Sequence, residues 1–513
     1  MRSLLAFPLA IGALLGAVEA GTDNIVGQTV RTTSGLVKGH ASDVRPGVSE
    51  YLGIPYARPP KGELRFMPPE RYEGEDVIDA SYWSDECPHT AGKPIDFPHE
   101  TDIMKEIIAN FGGQKGHPQS EDCLKLNVWS KVSNETSKPV LVWIHGGRFT
   151  IGSTHNLFYQ GQYLADAEDV VVVTIQYRTN IFGFPGAPNT TQNLGLLDQR
   201  LAIEWVRDNI ASFNGDPSRI TIFGQSAGGV AVDYFTYAYK DDPIIAGVIP
   251  MSGTALSMVP NTREESEGYW FIAAAAAGCD EETEEDVLSC MREKTTAELL
   301  NAVKKVPFAP TPALAQPVFH PTIDNKTVFA DYESLSEQGS FIKVPYLVGN
   351  TAKESGFYAI AAYTSNTTLS PAQWTLFNGA GFTCSASRAA AARAAHDVPV
   401  WRYMYYGEWP NSIIDVAQVF GTAEDVSGGV ENTRAEEGVR RGIMRAWAAF
   451  ARDPERGLEV EMGWERYGEG EEEKKVVGLA FGNEVLPTFL DAEEVDGVCE
   501  VVGRDTSFAK GAF

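Results

Sequence analysis

Arg219 to Tyr239 reads RITIFGQSAGGVAVDYFTYAY, a short β-rich run joined to a helix-forming run through Gly224-Gln225-Ser226-Ala227-Gly228. Alone, a G-x-S-x-G pattern is a weak signal. Its context makes it specific, because strand, tight glycine-flanked turn and helix is the arrangement that lifts a serine Oγ clear of a sheet edge. Side chains at the flanking positions would collide with the neighbouring strand and helix, so glycine is required there. The start of the helix also aims backbone NH groups at any oxyanion formed beside Ser226.

Other runs extend the same pattern. Val140–Ile144 (VLVWI) predicts a buried strand, followed by the loop His145-Gly146-Gly147-Arg148-Phe149. A glycine-rich loop after a strand can lend NH groups to a developing negative oxygen, here from Gly147 and Arg148 together with Ala227 after the serine. His145 is read as a loop-packing residue. Val170–Arg178 (VVVVTIQYR) predicts a strand buried on both faces, and Gly195–Phe213 places apolar residues at helical spacing until Gly215-Asp216-Pro217 ends the helix. Strands alternating with helices imply an α/β class with a mostly parallel central sheet flanked by helices.

The chain opens with Met1, Arg2 and the apolar run Leu4–Val18, closing on small residues at Val18-Glu19-Ala20. This predicts a secretory signal over residues 1–20 and one folded unit over 21–513. The run falls short of the roughly 20 residues of a spanning helix, so no stable membrane anchor is expected. A net charge of -27 repels phosphate backbones and argues against nucleic acid as a partner. The acidic runs Glu281–Asp286 and Glu469–Glu473 are expected to be solvated faces or loops.

Six cysteines in an exported chain suggest three disulfides. Cys279 and Cys290 are close enough to staple a short acidic loop, and Cys87 with Cys123 could close a second, leaving Cys384 and Cys499. Spacing alone leaves the connectivity open, since six cysteines allow 15 pairings. Asn134, Asn189, Asn325 and Asn366 each open an N-x-Thr sequon, which predicts glycosylated surface loops and a secreted protein.

Together with the serine turn, five stretches closely resemble the type-B carboxylesterase and lipase family of α/β-hydrolases, particularly its secreted fungal members. They are Tyr51–Pro69 (YLGIPYARPPKGELRFMPP), Glu121–Trp129 (EDCLKLNVW), Trp143–Phe149 (WIHGGRF), Asn193–Gly229 and Val398–Asn411 (VPVWRYMYYGEWPN). The resemblance implies the α/β-hydrolase fold with large loop and helical insertions. It also implies a small-molecule or lipid ester as substrate, with no cofactor and no metal. Ser226 then takes the role of acyl-forming nucleophile. Glu354, in Val348–Phe357 (VGNTAKESGF), matches the family acid, which holds a histidine tautomer and offsets the imidazolium charge. Arg148 departs from the family's three-glycine loop but still supplies its NH. The resemblance supports the pairings Cys87 with Cys123 and Cys279 with Cys290.

One member is missing. Counting back from Phe420-Gly421 places the family's histidine slot at Ser412, a loop segment usual in the family is absent after Asn411, and the last histidine in the chain is His396. His155, His320 and His396 are poor substitutes by chain position. An Oγ without a base is only an alcohol, so the chain as written is expected to be a very poor esterase. Three readings follow: an ester hydrolase whose given sequence lacks a piece, a non-catalytic binding module on the same fold, or a pocket repurposed for a non-hydrolytic reaction.

Overall fold

The computed structural model describes residues 25–92, 102–309, 317–364, 366–407, 414–468 and 474–503. The expected signal over residues 1–20, the acidic run Glu469–Glu473 and the slot at Ser412 lie outside these residues. An eleven-stranded sheet organises the rest. Its strands are β1 (His40–Ala41), β2 (Val48–Pro55), β3 (Lys125–Lys131), β4 (Lys138–Ile144), β5 (Val171–Ile175), β6 (Gly215–Gln225), β7 (Gly247–Met251), β8 (Tyr346–Thr351), β9 (Val400–Tyr405), β10 (Lys475–Leu479) and β11 (Thr488–Asp491).

In space the strands run 11-10-9-8-7-6-4-5-3-2-1. The seven from β5 to β10 pair in parallel, and the antiparallel pairings fall at the two ends. This mixed sheet flanked by helices is the α/β-hydrolase arrangement that the sequence predicts. Thr29–Thr32, Gly35–Lys38 and Val77–Asp79 form a separate three-stranded sheet.

Strand β4 shows why the runs read as continuously apolar. Successive side chains point to opposite faces. Val140, Val142 and Ile144 join one core cluster while Leu141 and Trp143 join another, so both faces are buried. The helix Ala227–Ala238 packs on the first face through Val230, Ala231 and Tyr234. On the second lies Arg434–Arg452, which inserts Trp447 and Phe450 and begins with a Thr433–Glu436 capping box.

The three pairings Cys87–Cys123, Cys279–Cys290 and Cys384–Cys499 are all formed. The acidic run near Cys279 is partly helical: Glu284, Glu285 and Asp286 fill the exposed first turn of Glu284–Glu293, where the helix dipole favours negative charge. The four sequon asparagines are all exposed.

Candidate active site

Strand β6 ends at Gln225 and the helix begins at Ala227, so Ser226 occupies a one-residue corner. Its backbone stands at φ 58°, ψ -127°, a region that L residues rarely adopt and that the surrounding structure must enforce. Ser226 N donates to Met251 O at 2.9 Å on neighbouring β7, while Ser226 O accepts from Val230 N at 2.9 Å within the helix. The flanking glycines allow the corner to be this tight. A Cβ on Gly228 would lie 2.1 Å from Ile144 O, and one on Gly224 would lie 2.6 Å from the same oxygen.

The loop after β4 lies against this corner. Gly147 has φ 111° and Arg148 φ 57°. Arg148 therefore keeps the left-handed backbone that a third glycine would take, which separates its NH geometry from its side-chain identity. Thr150 N and Ile151 N both donate to Gly147 O at 3.0 Å and close the loop. His145 is fully buried, stacked on Tyr177 at 4.3 Å, and burial pulls its pKa down to about 4. That is the packing role read from the sequence.

Glu354 follows β8, 1% exposed. Its Oε1 accepts from Ser252 Oγ at 2.6 Å and from Thr351 N at 2.7 Å. Two neighbours were not evident in the sequence. Tyr358, one turn beyond Glu354 on the helix Ser355–Thr364, shares a side-chain hydrogen bond with Ser226. Burial raises its pKa, opposed by the nearby Arg148, so the phenol is neutral. Asp415 is buried near Glu354, with Tyr403 OH donating to its Oδ2 at 3.3 Å. An acid inside the apolar run IIDVAQVF was the available signal for Asp415.

Burial, and then the Glu354 charge, push the Asp415 pKa well above the carboxylate range. The sign of the resulting pH dependence is definite. A carboxyl whose folded pKa is raised contributes relative stability that is full below the unfolded pKa of about 3.9 and is lost as pH rises toward the folded value. Against Asp415→Asn, the parent is therefore expected to lose about 1.4 kcal/mol per pH unit over that window. Urea midpoints of both proteins between pH 4 and 8 measure this. A difference that does not change with pH refutes a neutral Asp415.

Two of the histidines weighed as substitutes, His155 and His396, engage other partners. His155 Nε2 donates to Ser84 O at 2.5 Å, and its ring packs on Trp83 and His117. His396 Nε2 bonds Glu337 O at 3.0 Å beyond the helix Cys384–Ala394. His320 is buried, its pKa pulled down to about 4 by burial, with Arg148 also opposing its protonation. Beside the loop lies a cavity of ≈ 510 Å³ whose lining includes Ile151, Val303, Val306, Phe308, Val318 and Phe319.

This architecture is widely shared. A solved structure titled PNB esterase superposes with a TM-score of 0.75 at 28% identity, covering 92% of this chain and 99% of that one. Secreted lipase 5 of Gibberella zeae is 32% identical over 91% of this chain and 93% of its own length. Chlorogenic acid esterase of Aspergillus niger is 31% identical over 84% of each. The pattern of the carboxylesterase family matches residues 26–378. With this extent of likeness, the chain belongs to the carboxylesterase family and is by descent a hydrolase of carboxylic esters.

Proposed function

We propose that the chain is a secreted serine hydrolase in which Ser226 attacks the ester carbonyl and Glu354 is the triad acid. The NH groups of Gly147, Arg148 and Ala227 receive the oxyanion. Attack forms the Oγ–carbonyl bond, the alcohol departs with a proton, and water then releases the acid from the acyl-enzyme. The observation that carries this reading is the enforced corner at Ser226, held between two glycines beside the Gly147–Arg148 loop. The apolar cavity next to that loop suits the hydrocarbon part of a small-molecule or lipid ester. Secretion is supported by the apolar leader, the three disulfides, the exposed sequons and the name of the Gibberella zeae relative. Residues 21–513 are read as one hydrolase unit.

The base decides between this reading and an impaired one. Tyr358 does not fill the role, because a phenol held neutral by burial carries a proton it does not exchange for that of Ser226. The chain as written is therefore read as a slow acyl-acceptor. Prolonged incubation with a fluorophosphonate followed by intact-mass and peptide analysis tests the nucleophile. One adduct is expected, on the Ser226 peptide, and none in Ser226→Ala. An adduct that persists in Ser226→Ala overturns the assignment.

A further inference from the structure

Glu86, His117 and His155 bring three metal-ligating side chains together, and no step of the ester chemistry uses them. Their ligand atoms lie within 4.8 Å of one another, the only such group among the described residues. We propose that these three residues form a binding site for a divalent late first-row cation, zinc foremost, outside the ester-hydrolysing centre.

The site is built rather than incidental. Glu86 is held by backbone pairing to the segment that follows His117, Glu86 N donating to Pro118 O and Ser120 N to Glu86 O, both at 2.9 Å. The Cys87–Cys123 disulfide locks the adjoining residues. Glu86 is only 5% exposed, yet its Oε1 is oriented by Ser153 Oγ at 2.5 Å and lies 2.9 Å from His117 Nδ1. His155 donates from Nε2 to Ser84 O, which leaves the Nδ1 lone pair for a ligand. A histidine whose second nitrogen bonds a backbone carbonyl is the usual outer arrangement of a metal ligand.

A fourth imidazole borders this place. His89 Nδ1 donates to Cys87 O at 3.0 Å, so its Nε2 accepts from Gln119 Nε2 at 3.4 Å, and that nitrogen lies 3.8 Å from Glu86 Oε2. Lys115, beside the same residues, is engaged by Glu106. A cavity of ≈ 10 Å³, about the room of one water or ion, is lined by Glu86, His89, His117 and Ser153, and His155 lies outside its lining.

Two imidazoles and one carboxylate match the ligand preference of zinc, with bonds near 2.0–2.2 Å and ligand-to-ligand edges of about 3.3 Å in a tetrahedron. The Glu86–His117 edge is already at that scale, and His155 must close by up to about 1.5 Å. Binding displaces the proton shared by His117 and Glu86. A fourth position remains for water.

The test uses the full chain, stripped with chelator, gel-filtered and titrated with zinc ion by calorimetry. Metal content is measured after dialysis and thermal unfolding is followed with and without zinc. One equivalent is expected, with a rise in Tm. In His117→Ala, a substitution at a partly exposed position, affinity should fall by on the order of 100-fold or more and the Tm shift should vanish. His155→Gln should behave likewise, and circular dichroism shows whether each variant is folded. No retained metal in the parent overturns the proposal. So does zinc affinity unchanged in both folded variants, which would place binding on the acidic surface.

Discussion

Inserting a histidine-bearing loop between Asn411 and Ile413, long enough to reach Ser226, is expected to raise hydrolysis of a short aryl ester by on the order of 10⁶ in turnover, which is about 8 kcal/mol of transition-state stabilisation. The size follows from how a serine triad works: the histidine takes the proton as the Oγ attacks, and removing it alone costs about as much as removing the whole set. The acid for such a histidine is in place, since Glu354 is buried beside Ser252 and Thr351 close to Asp415. In the loop-bearing protein Ser226→Ala should abolish the gain. Glu354→Gln should lower kcat far more than it raises KM, because the acid supports an imidazolium formed only on the way to the transition state. The measurement is release of 4-nitrophenol from its acetate by parent, insertion and double variants. If the parent already turns over and Ser226→Ala stops it, a base exists in the chain, and substituting His155, His320 and His396 singly identifies it.

The second large effect concerns the helix that carries the nucleophile. Asp233 lies on that helix with no exposed area, and Arg393 on Cys384–Ala394 is 1% exposed. Arg393 Nη2 donates to Asp233 Oδ1 at 2.7 Å and to Thr236 Oγ1 at 3.0 Å, while Nη1 donates to Tyr237 OH at 2.8 Å. Ala255 N donates to the other carboxylate oxygen at 2.8 Å, and the guanidinium lies over the rings of Phe341 and Tyr346. Burial alone would lower the arginine pKa, but Asp233 and the tyrosines raise it, so the charge persists inside the protein. Asp233→Ala strands that charge and is expected to destabilise by about 3–5 kcal/mol. Asp233→Leu combined with Arg393→Met removes both charges and should recover much of the loss. Denaturant midpoints of the three proteins decide it. A loss below about 1 kcal/mol for Asp233→Ala would mean that the arginine finds another partner.

Much of the frame could be read from the chain. Strands β4, β5 and β6 are apolar on both faces, and the serine corner between β6 and its helix is dictated by local sterics, so each stood out within a few consecutive residues. The sheet edges did not, because β1 and β11 are short and half exposed, and their pairing is set by distant partners. Glu354 was found only by resemblance, since nothing local distinguishes it from an ordinary loop carboxylate. Tyr358 and Asp415 escaped because their importance depends on convergence: one lies on a helix after β8, the other after β9, and only the fold brings them beside Ser226 and Glu354. Glu86, His117 and His155 share no recognisable motif spacing for the same reason.

The Cys384–Cys499 disulfide spans 115 positions, and the slot at Ser412 falls between its ends. A protease cut anywhere between Ser385 and Val498 therefore yields two polypeptides that stay one covalent molecule. When the cut falls at the Ser412 slot, the amino-terminal piece would hold Ser226 and Glu354, and the carboxy-terminal piece would hold Asp415 and the helix Arg434–Arg452. Such a nicked protein would migrate as a single species without reductant and as two with it. The polypeptide beyond Cys384 can thus be interrupted while its parts remain tethered to the nucleophile-bearing half.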